Sequence, residues 1–238
     1  MAIELFYSPS PNVYKVMIAL EELALPYDIT FVDLSQGQQF EPAKLGGSVA
    51  AKVPVLRDTE PAWGGEPVSV MESGAILQYL AEKTGALMPA DPAGRILTMQ
   101  WLFWQMGHLG PIGGQHWHFK AFAPRIEPDT NFDYPRRRYT RMLDALWAVM
   151  ERRLAQVPFL AGDYSIADVA CYPWAQYLWP EDVSTYPCLS QWKATIAERP
   201  AVQQAYARNA AVKTEYGRTE RQTIAYPWEG LRQHTIVA

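Results

Sequence analysis

Hydrophobic and polar positions in the first third of the chain switch repeatedly between strand and helix patterns. "IELFYS" (Ile3–Ser8) reads as a strand. "PNVYKVMIALEELAL" then places Val13, Met17, Leu20 and Ala24 at helical spacing on one face, with Lys15, Glu21 and Glu22 away from it. Pro26 predicts the end of that helix. "YDITFVDL" is rich in β-formers and predicts a second strand. A strand, a helix and a strand in about 30 residues make a βαβ unit, whose two strands are parallel.

After a loop containing "SQGQQFEPAKL", two short strands are predicted at "KVPVLRD" and "EPVSVMES". The turn residues "TEPAWGG" between them predict an antiparallel pair. "SGAILQYLAEKTG" follows as a helix: Ser73 is a candidate N-cap, Ile76, Leu77 and Leu80 form the apolar stripe, and Gly85 stops it. Beyond "GALMPADPAG" the strand pattern ends. From Arg95 to about Ala211 the periodicity is helical, as in "RYTRMLDALWAVMERRLAQ", where Met142, Leu146 and Met150 recur beside Leu143, Trp147 and Leu154. "YSIADVACYPWAQYL" opens on Ser165-x-x-Asp168, the spacing of a capping box. The expected organisation is an α/β domain over 1–85, a linker over 86–94, an all-α domain over 95–212 and a tail over 213–238. No internal repeat or low-complexity tract interrupts it.

Composition narrows the function classes. With 238 residues, 49% hydrophobic and 19% charged, the chain reads as an ordinary globular protein with a real core. Nine tryptophans fit either that core or an aromatic-lined cleft. A net charge of −4 argues against a nucleic-acid partner bound through its phosphates, and "PRRRYTR" (Pro135–Arg141) reads first as a solvated helix face. Cys171 and Cys188 lack metal spacing and read as buried free thiols in a reducing, cytoplasmic setting. "MAIELFYSPSPN" lacks the charged and apolar regions of a signal peptide, and no apolar run is long enough to span a membrane.

Three stretches of the first domain carry candidate chemistry. "FYSPSPNVYK" joins a strand to a helix N-terminus, where unpaired N–H groups and the dipole favour an anion. A thiolate is such an anion, and Ser10 and Asn12 are placed to donate to it; the competing reading is plain N-capping. In "KVPVL", a proline directly before a strand is awkward for the ladder, and a cis Val53–Pro54 bond would turn the backbone of Val53 outward. In "MESGAI", Glu72 and Ser73 stand at a helix start, where a carboxylate could be held while Glu72 meets an ammonium of the same ligand. Such a pair suits an α-amino acid, and capping is again the alternative.

In this order, the three stretches resemble the glutathione transferase family over residues 1 to about 210. The resemblance implies a thioredoxin-like first domain and a helical second domain. It also implies that "KVPVL" pairs its backbone with the cysteinyl group of glutathione, that "ESGAI" holds the γ-glutamyl end, and that "SIADVACYPW" supports folding through Ser165 and Asp168. "SPSPNVYK", "GGEPVSVMESGAILQYLAEKTG" and "QWLFWQMGHLGPIGGQHWHF" resemble the bacterial Nu-class and Ure2-like members, which lack the usual catalytic cysteine. By that resemblance Ser10 and Asn12 are the catalytic, sulfur-contacting positions. Gln39 and Lys52 lie near the glycyl end, beside Val53, Glu72 and Ser73, and Arg138 matches an arginine that reaches a glutathione, in a segment whose length differs from the family pattern. Ser10 replaces the commoner threonine, and Val13 replaces a glycine.

The resemblance further implies a hydrophobic or disulfide co-substrate against the helical domain, with Trp104, His116, Trp117 and Phe119 as lining. It also implies one or two glutathiones per site and a homodimer. Tyr7 is weighed as a sulfur ligand or lining residue and reads first as packing. The spacing His116-x-His118 invites a metal, but no carboxylate or cysteine stands at useful spacing, so none is expected. Tyr216, Tyr226 and Trp228 in the tail are expected to pack on a cleft or subunit surface. The leading function is glutathione-dependent disulfide reduction with side conjugation or peroxidase activity. The alternatives are a glutathione-dependent lyase or transferase acting on aryl-ether or thioether substrates, and a non-enzymatic glutathione-binding regulator.

Overall fold

A computed structural model describes residues 2–178 and 183–216. β1 (Ile3–Tyr7) pairs in parallel with β2 (Tyr27–Phe31), Ile3 opposite Tyr27 and Tyr7 opposite Phe31. The crossover between them is α1 (Pro11–Glu22), as a parallel pair requires. β3 (Val55–Asp58) is antiparallel to β1, and β4 (Val68–Met71) is antiparallel to β3. The resulting order, β2-β1-β3-β4, with α2 (Ser73–Thr84) after it, is the thioredoxin-like arrangement that the alternating pattern predicts. α1 ends sooner than Pro26 suggests: the chain leaves the helix at Leu23 and turns through Ala24 at φ 50°, so Pro26 precedes the next strand instead.

Strand alternation gives the sheet two faces. On one, Phe6 and Val55 form a buried cluster with Val32 and Leu45. Three 3-10 turns, Leu34–Gln36, Gln38–Phe40 and Pro42–Leu45, occupy the connection from β2 to β3. Gly46 ends them at φ 60°, and a Cβ there would stand 2.5 Å from the Phe6 ring, so backbone lies directly on the aromatic face. On the other face Leu5, Tyr7 and Leu56 are fully buried.

α9 (Pro200–Glu215) packs on α1, and its side chains hold it there. The Tyr7 hydroxyl donates to Asn209 Oδ1. The Arg208 guanidinium lies 3.8 Å over the Tyr27 ring, donates to the Tyr27 carbonyl at 2.6 Å and stands 3.5 Å from Glu21. Tyr206 stacks on Tyr14 with centroids 4.6 Å apart. The described residues accordingly divide into two compact units, one joining the chain up to Thr84 with α9, the other running from Gly85 to Arg199. Helical periodicity alone groups α9 with its sequence neighbours, whereas its aromatic and Arg208 contacts place it with the sheet.

In the second unit, helix begins at Pro92, three residues before the expected Arg95. α3 (Pro92–Trp104) runs through a π-helical turn at Gln105–Leu109 into α4 (Gly110–Trp117), and through another at His118–Phe122 into α5 (Ala123–Ile126). α6 (Asp133–Leu154), α7 (Ile166–Tyr177) and α8 (Pro187–Ala197) complete it. α6 buries Leu143, Trp147, Met150 and Leu154, the members of its predicted stripes that face inward. At Gly113 of α4 a Cβ would meet Leu178 at 2.6 Å and Trp174 at 2.9 Å, so the glycine permits that contact.

The capping box of α7 is present and extends beyond its own helix. Asp168 Oδ2 accepts from Ser165 N and Ser165 Oγ, while Oδ1 accepts from Leu160 N at 2.9 Å and Trp192 Nε1 at 2.8 Å. One carboxylate therefore ties the α7 start, the preceding loop and α8 together. Burial pushes its pKa up to about 6, against the pull of these donors. A second buried carboxylate, Asp58 at the end of β3, accepts from Tyr79 Oη at 2.7 Å, Lys83 Nζ at 2.6 Å and Glu60 N at 2.8 Å. Burial raises its pKa, but the bonds from Lys83, Tyr79 and Glu60 prevail and hold it below the ordinary value.

Replacing Asp168 by alanine strands buried donors and removes a cap, and should lower the unfolding free energy by about 3 kcal/mol or more, read from urea denaturation. Asp58 acts through pH. Since its folded pKa is depressed, its stabilisation is fully present above the unfolded value of about 4 and is lost as pH falls through the folded value. Lys83→Met should therefore flatten the acid limb of a urea-midpoint series run from pH 6 to 2; an unchanged limb would show that Lys83 does not hold Asp58 down.

Candidate functional site

The sheet register decides which loops meet. Phe6 pairs with Val55, and Val55 pairs with Met71. Because β3 runs opposite to β1 and β4, the residues after Phe6, before Val55 and after Met71 all leave the same end of the sheet. Those are the three stretches singled out from sequence: Ser10 and Asn12, Lys52 to Pro54, and Glu72 with Ser73.

At the first, Ser10 has extended backbone (φ −160°, ψ 157°) and caps α1, its Oγ accepting from Val13 N at 3.3 Å. Its carbonyl accepts from Val13 N and Tyr14 N. A capping hydroxyl uses a lone pair and keeps its proton, so capping and donating to an anion are compatible roles. Pro11 at the first helical position brings no N–H, and Asn12 follows in the first turn, half-buried. At the second, the Val53–Pro54 bond is cis, as the sequence led us to expect. Val53 packs against the Phe6 cluster, while Lys52 is exposed. Nearby in the chain, Gln39 lies in a 3-10 turn, 3% exposed, and its Oε1 has no hydrogen-bond partner among the described residues. A buried carbonyl oxygen left this way is an acceptor suited to a ligand N–H.

At the third, the structure shifts the expected cap by one residue. The Glu72 carbonyl accepts from Ile76 N at 2.9 Å, so Glu72 is at the cap and Ser73 is the first helical residue. Glu72 is exposed and holds φ 67°, a left-handed conformation that costs a non-glycine residue about 1–3 kcal/mol and clusters at functional sites. Ser73 is buried and accepts from the Nζ of Lys15 at 3.2 Å. Sequence reasoning placed Lys15 on the polar side of α1; it is instead fully buried. The signal for it was the unbroken apolar run Val16–Leu20, which marks a helix covered on several sides.

Tyr7, included among the lining residues, is 0% exposed with its hydroxyl committed to Asn209. Burial pushes its phenol well above its ordinary pKa, so it stays protonated. A cavity of about 450 Å³ opens on the Phe6 face of the sheet, lined by Glu4, Thr30, Gln38, Lys44, Gly46 and Arg57 among others. No residue singled out from sequence lines it.

In the helical unit the aromatic candidates fall into clusters. Trp104 meets Trp101 edge-on at 5.2 Å and stacks with His108 at 6.3 Å. Trp117 lies 4.9 Å from Tyr177, and Phe119 stacks on Tyr139 at 5.6 Å. His116 Nδ1 is 3.3 Å from Thr140 Oγ1, and His118 meets the Phe119 ring edge-on. Among the described residues no group of three or more His, Cys, Asp or Glu could hold a metal ion. Arg138 is exposed on α6, near Arg136, which donates to the Phe119 carbonyl. Cys171 is buried but Cys188 is only partly so, its thiol raised by a hydrogen bond to Glu151. Tyr216 is exposed and stacks on Phe31, whereas Tyr226 and Trp228 lie outside the described residues. No helix among those residues is long and apolar enough to cross a membrane.

Comparison with known proteins finds two matching regions. Residues 9–83 match the glutathione S-transferase N-terminal domain, and residues 134–208 match the glutathione S-transferase C-terminal domain. The chain is 44% identical over 207 residues to the disulfide-bond oxidoreductase YfcG of Escherichia coli (strain K12), a match covering 85% of this chain and 94% of that one. It superposes on a glutathione transferase of Burkholderia graminis, crystallised with two glutathione molecules per subunit, with a TM-score of 0.79 and 37% identity over 85% of this chain and 86% of that one. A Pseudomonas putida glutathione transferase holding one glutathione disulfide per subunit matches with a TM-score of 0.77 and 37% identity, covering 85% and 90%. The chain belongs to the glutathione S-transferase family, among its Nu-class and Ure2-like members.

Proposed function

We propose that this protein reduces disulfides with glutathione as the thiol donor. The observation that carries the reading is the convergence of three loops at one sheet end, two of them helix N-termini, with no cysteine in any of them. A site so built favours an anion but brings no nucleophile, so the reactive sulfur has to arrive with the ligand. The E. coli relative named a disulfide-bond oxidoreductase and the neighbours holding two glutathiones or a glutathione disulfide support the same reading.

Each residue then has a task. The Ser10 hydroxyl and Asn12 donate to the sulfur at the α1 N-terminus and favour its thiolate. Val53 presents backbone to the cysteinyl group. Gln39 offers its buried oxygen to an N–H of the glycyl arm, and exposed Lys52 meets the carboxylate there. Ser73 holds the γ-glutamyl carboxylate, and Glu72 its ammonium. Arg138 and the aromatic side chains Trp104, His116, Trp117 and Phe119 are assigned to the second molecule. Two thiol–disulfide exchanges convert one disulfide and two glutathione molecules into two thiols and one glutathione disulfide. Conjugation and peroxidase reactions are side activities of the same thiolate. The expected assembly is a homodimer, and the expected setting is the reducing cytoplasm. The aromatic clusters of the helical unit favour, as a second reading, cleavage of aryl-ether substrates by the same thiolate.

Glutathione-dependent reduction of hydroxyethyl disulfide tests the proposal. Ser10→Ala and Asn12→Ala should each lower kcat/KM by roughly 10- to 100-fold, the worth of a hydrogen bond to a charged group. No turnover by the wild type would overturn the reductase reading, and turnover of an aryl-ether substrate in its place would install the second. Full activity in both variants would move the sulfur site elsewhere.

A further inference from the structure

One face of the sheet is only half covered. On that face Phe6 pairs with Val55, and the next row pairs Glu4 with Arg57. The Phe6–Val55 row is buried with Leu45 of the connection from β2 to β3. The Glu4–Arg57 row is not: Glu4 is half-buried and Arg57 exposed. The cover ends at Gly46, whose backbone is pressed on the Phe6 ring. Beside it opens the cavity of about 450 Å³, with Glu4, Thr30 and Arg57 of the strands on one side and Lys44 of the connection on the other. Small-molecule sites span about 300–1,000 Å³, so the space is large enough to hold a ligand.

The charges around it are not paired with one another. Opposite charges directly across a ladder ordinarily attract. Here Glu4 turns to the other neighbouring strand, its Oε1 accepting from Thr30 Oγ1 at 2.5 Å. Among the described residues neither Arg57 nor Lys44 has an ion pair or a side-chain hydrogen bond. Gln38 also lines the cavity; its Oε1 accepts from Asp33 N at 2.9 Å, which leaves its amide N–H groups as donors. Two cations and one carboxylate, each with bonding capacity left, thus surround one space.

We propose that this cavity is a ligand site of its own, built for an acidic α-amino acid. Arg57 and Lys44 against Glu4 leave one positive charge, and a ligand with two carboxylates and one ammonium carries one negative charge. The ligand's ammonium bonds the Glu4 oxygen that Thr30 does not use. Its α-carboxylate lies on the neighbouring Arg57, whose guanidinium fork fits a carboxylate through two parallel bonds. Its side-chain carboxylate reaches Lys44, with the Gln38 amide as a further donor. Because Glu4 and Arg57 are register partners on adjacent strands, they present opposite charges side by side, as the α-carbon of an amino acid does. Ser10, Val53 and Ser73 do not line this cavity, so the site is separate from the loop end of the sheet.

Amide shifts of the ¹⁵N-labelled protein, kept in saturating glutathione and titrated with L-glutamate, test the proposal. The Thr30, Lys44, Gly46 and Arg57 amides should move and saturate. L-Glutamine, without the second carboxylate, and glutarate, without the ammonium, should each bind at least about tenfold more weakly, the worth of one charge-assisted bond. Lys44→Gln should erase the preference over L-glutamine, and Glu4→Gln the preference over glutarate. Arg57→Gln should weaken all three ligands by about tenfold or more. Lys44 and Arg57 are exposed, so these two variants remain folded and decide the matter if Glu4→Gln does not. Both should also keep glutathione-dependent turnover of hydroxyethyl disulfide within about twofold of the wild type. Shifts confined to the amides of Val53 and Ser73, equal binding of the three ligands, affinities unchanged by Arg57→Gln, or turnover lost together with binding would each overturn the assignment.

Discussion

The ladder pairs Phe6–Val55 and Val55–Met71 set everything that follows in the first unit. Side chains alternate along a strand, so a one-residue slip in either pair would turn Val55 off the Phe6 cluster and swing a loop out of line. That register is itself secured by packing: Phe6 and Val55 share a cluster with Val32 and Leu45, and the backbone at Gly46 lies against the Phe6 ring. The loops converge because the core on one face of the sheet permits a single alignment. Site geometry here is a consequence of burying four apolar side chains.

Electrostatics then give that convergence its chemical character. Helices α1 and α2 both begin at this end of the sheet, and both present the positive ends of their dipoles. Neither helix carries an acidic residue in its first turn, although Glu72 stands at the α2 cap. The capping of α1 falls to a neutral hydroxyl and that of α2 to Glu72 in left-handed backbone, with the Nζ of buried Lys15 bonded to Ser73 beside it. The acidic capping box appears instead on α7, where Asp168 is spent on folding.

What was legible in the sequence were features whose cause is local. The strand and helix order follows from periodicity, the Ser165/Asp168 box from its spacing, and the cis bond from the likeness of "KVPVL" to the family's cis-proline segment. What was hidden depends on partners far along the chain. Ser73 reads as a cap, but whether Glu72 or Ser73 ends up there depends on the backbone angle at Glu72, fixed by β4 on one side and α2 on the other. Lys15 reads as solvated because its helical face is polar only by its own presence; its burial needs α2 and α9 packed on α1. Tyr7 was open between binding and packing until Asn209, 202 positions away, supplied a partner for its hydroxyl.

That last pairing commits the Tyr7 hydroxyl to the core. A phenol at the end of β1 is close in sequence to the α1 N-terminus, and either side of the strand could have taken it. Tyr7 follows Leu5 onto the face that α9 covers, while Phe6 turns to the opposite cluster. Once there, its hydroxyl requires a buried acceptor, and Asn209 provides it beside Arg208, which anchors the same helix to Tyr27. The tyrosine thereby fastens α9 to the sheet. At the α1 start stand Ser10, which caps the helix, and Asn12 in its first turn. The role of Tyr7 is therefore settled by strand parity: one residue beyond Phe6, it faces the opposite side of the sheet and is committed to packing.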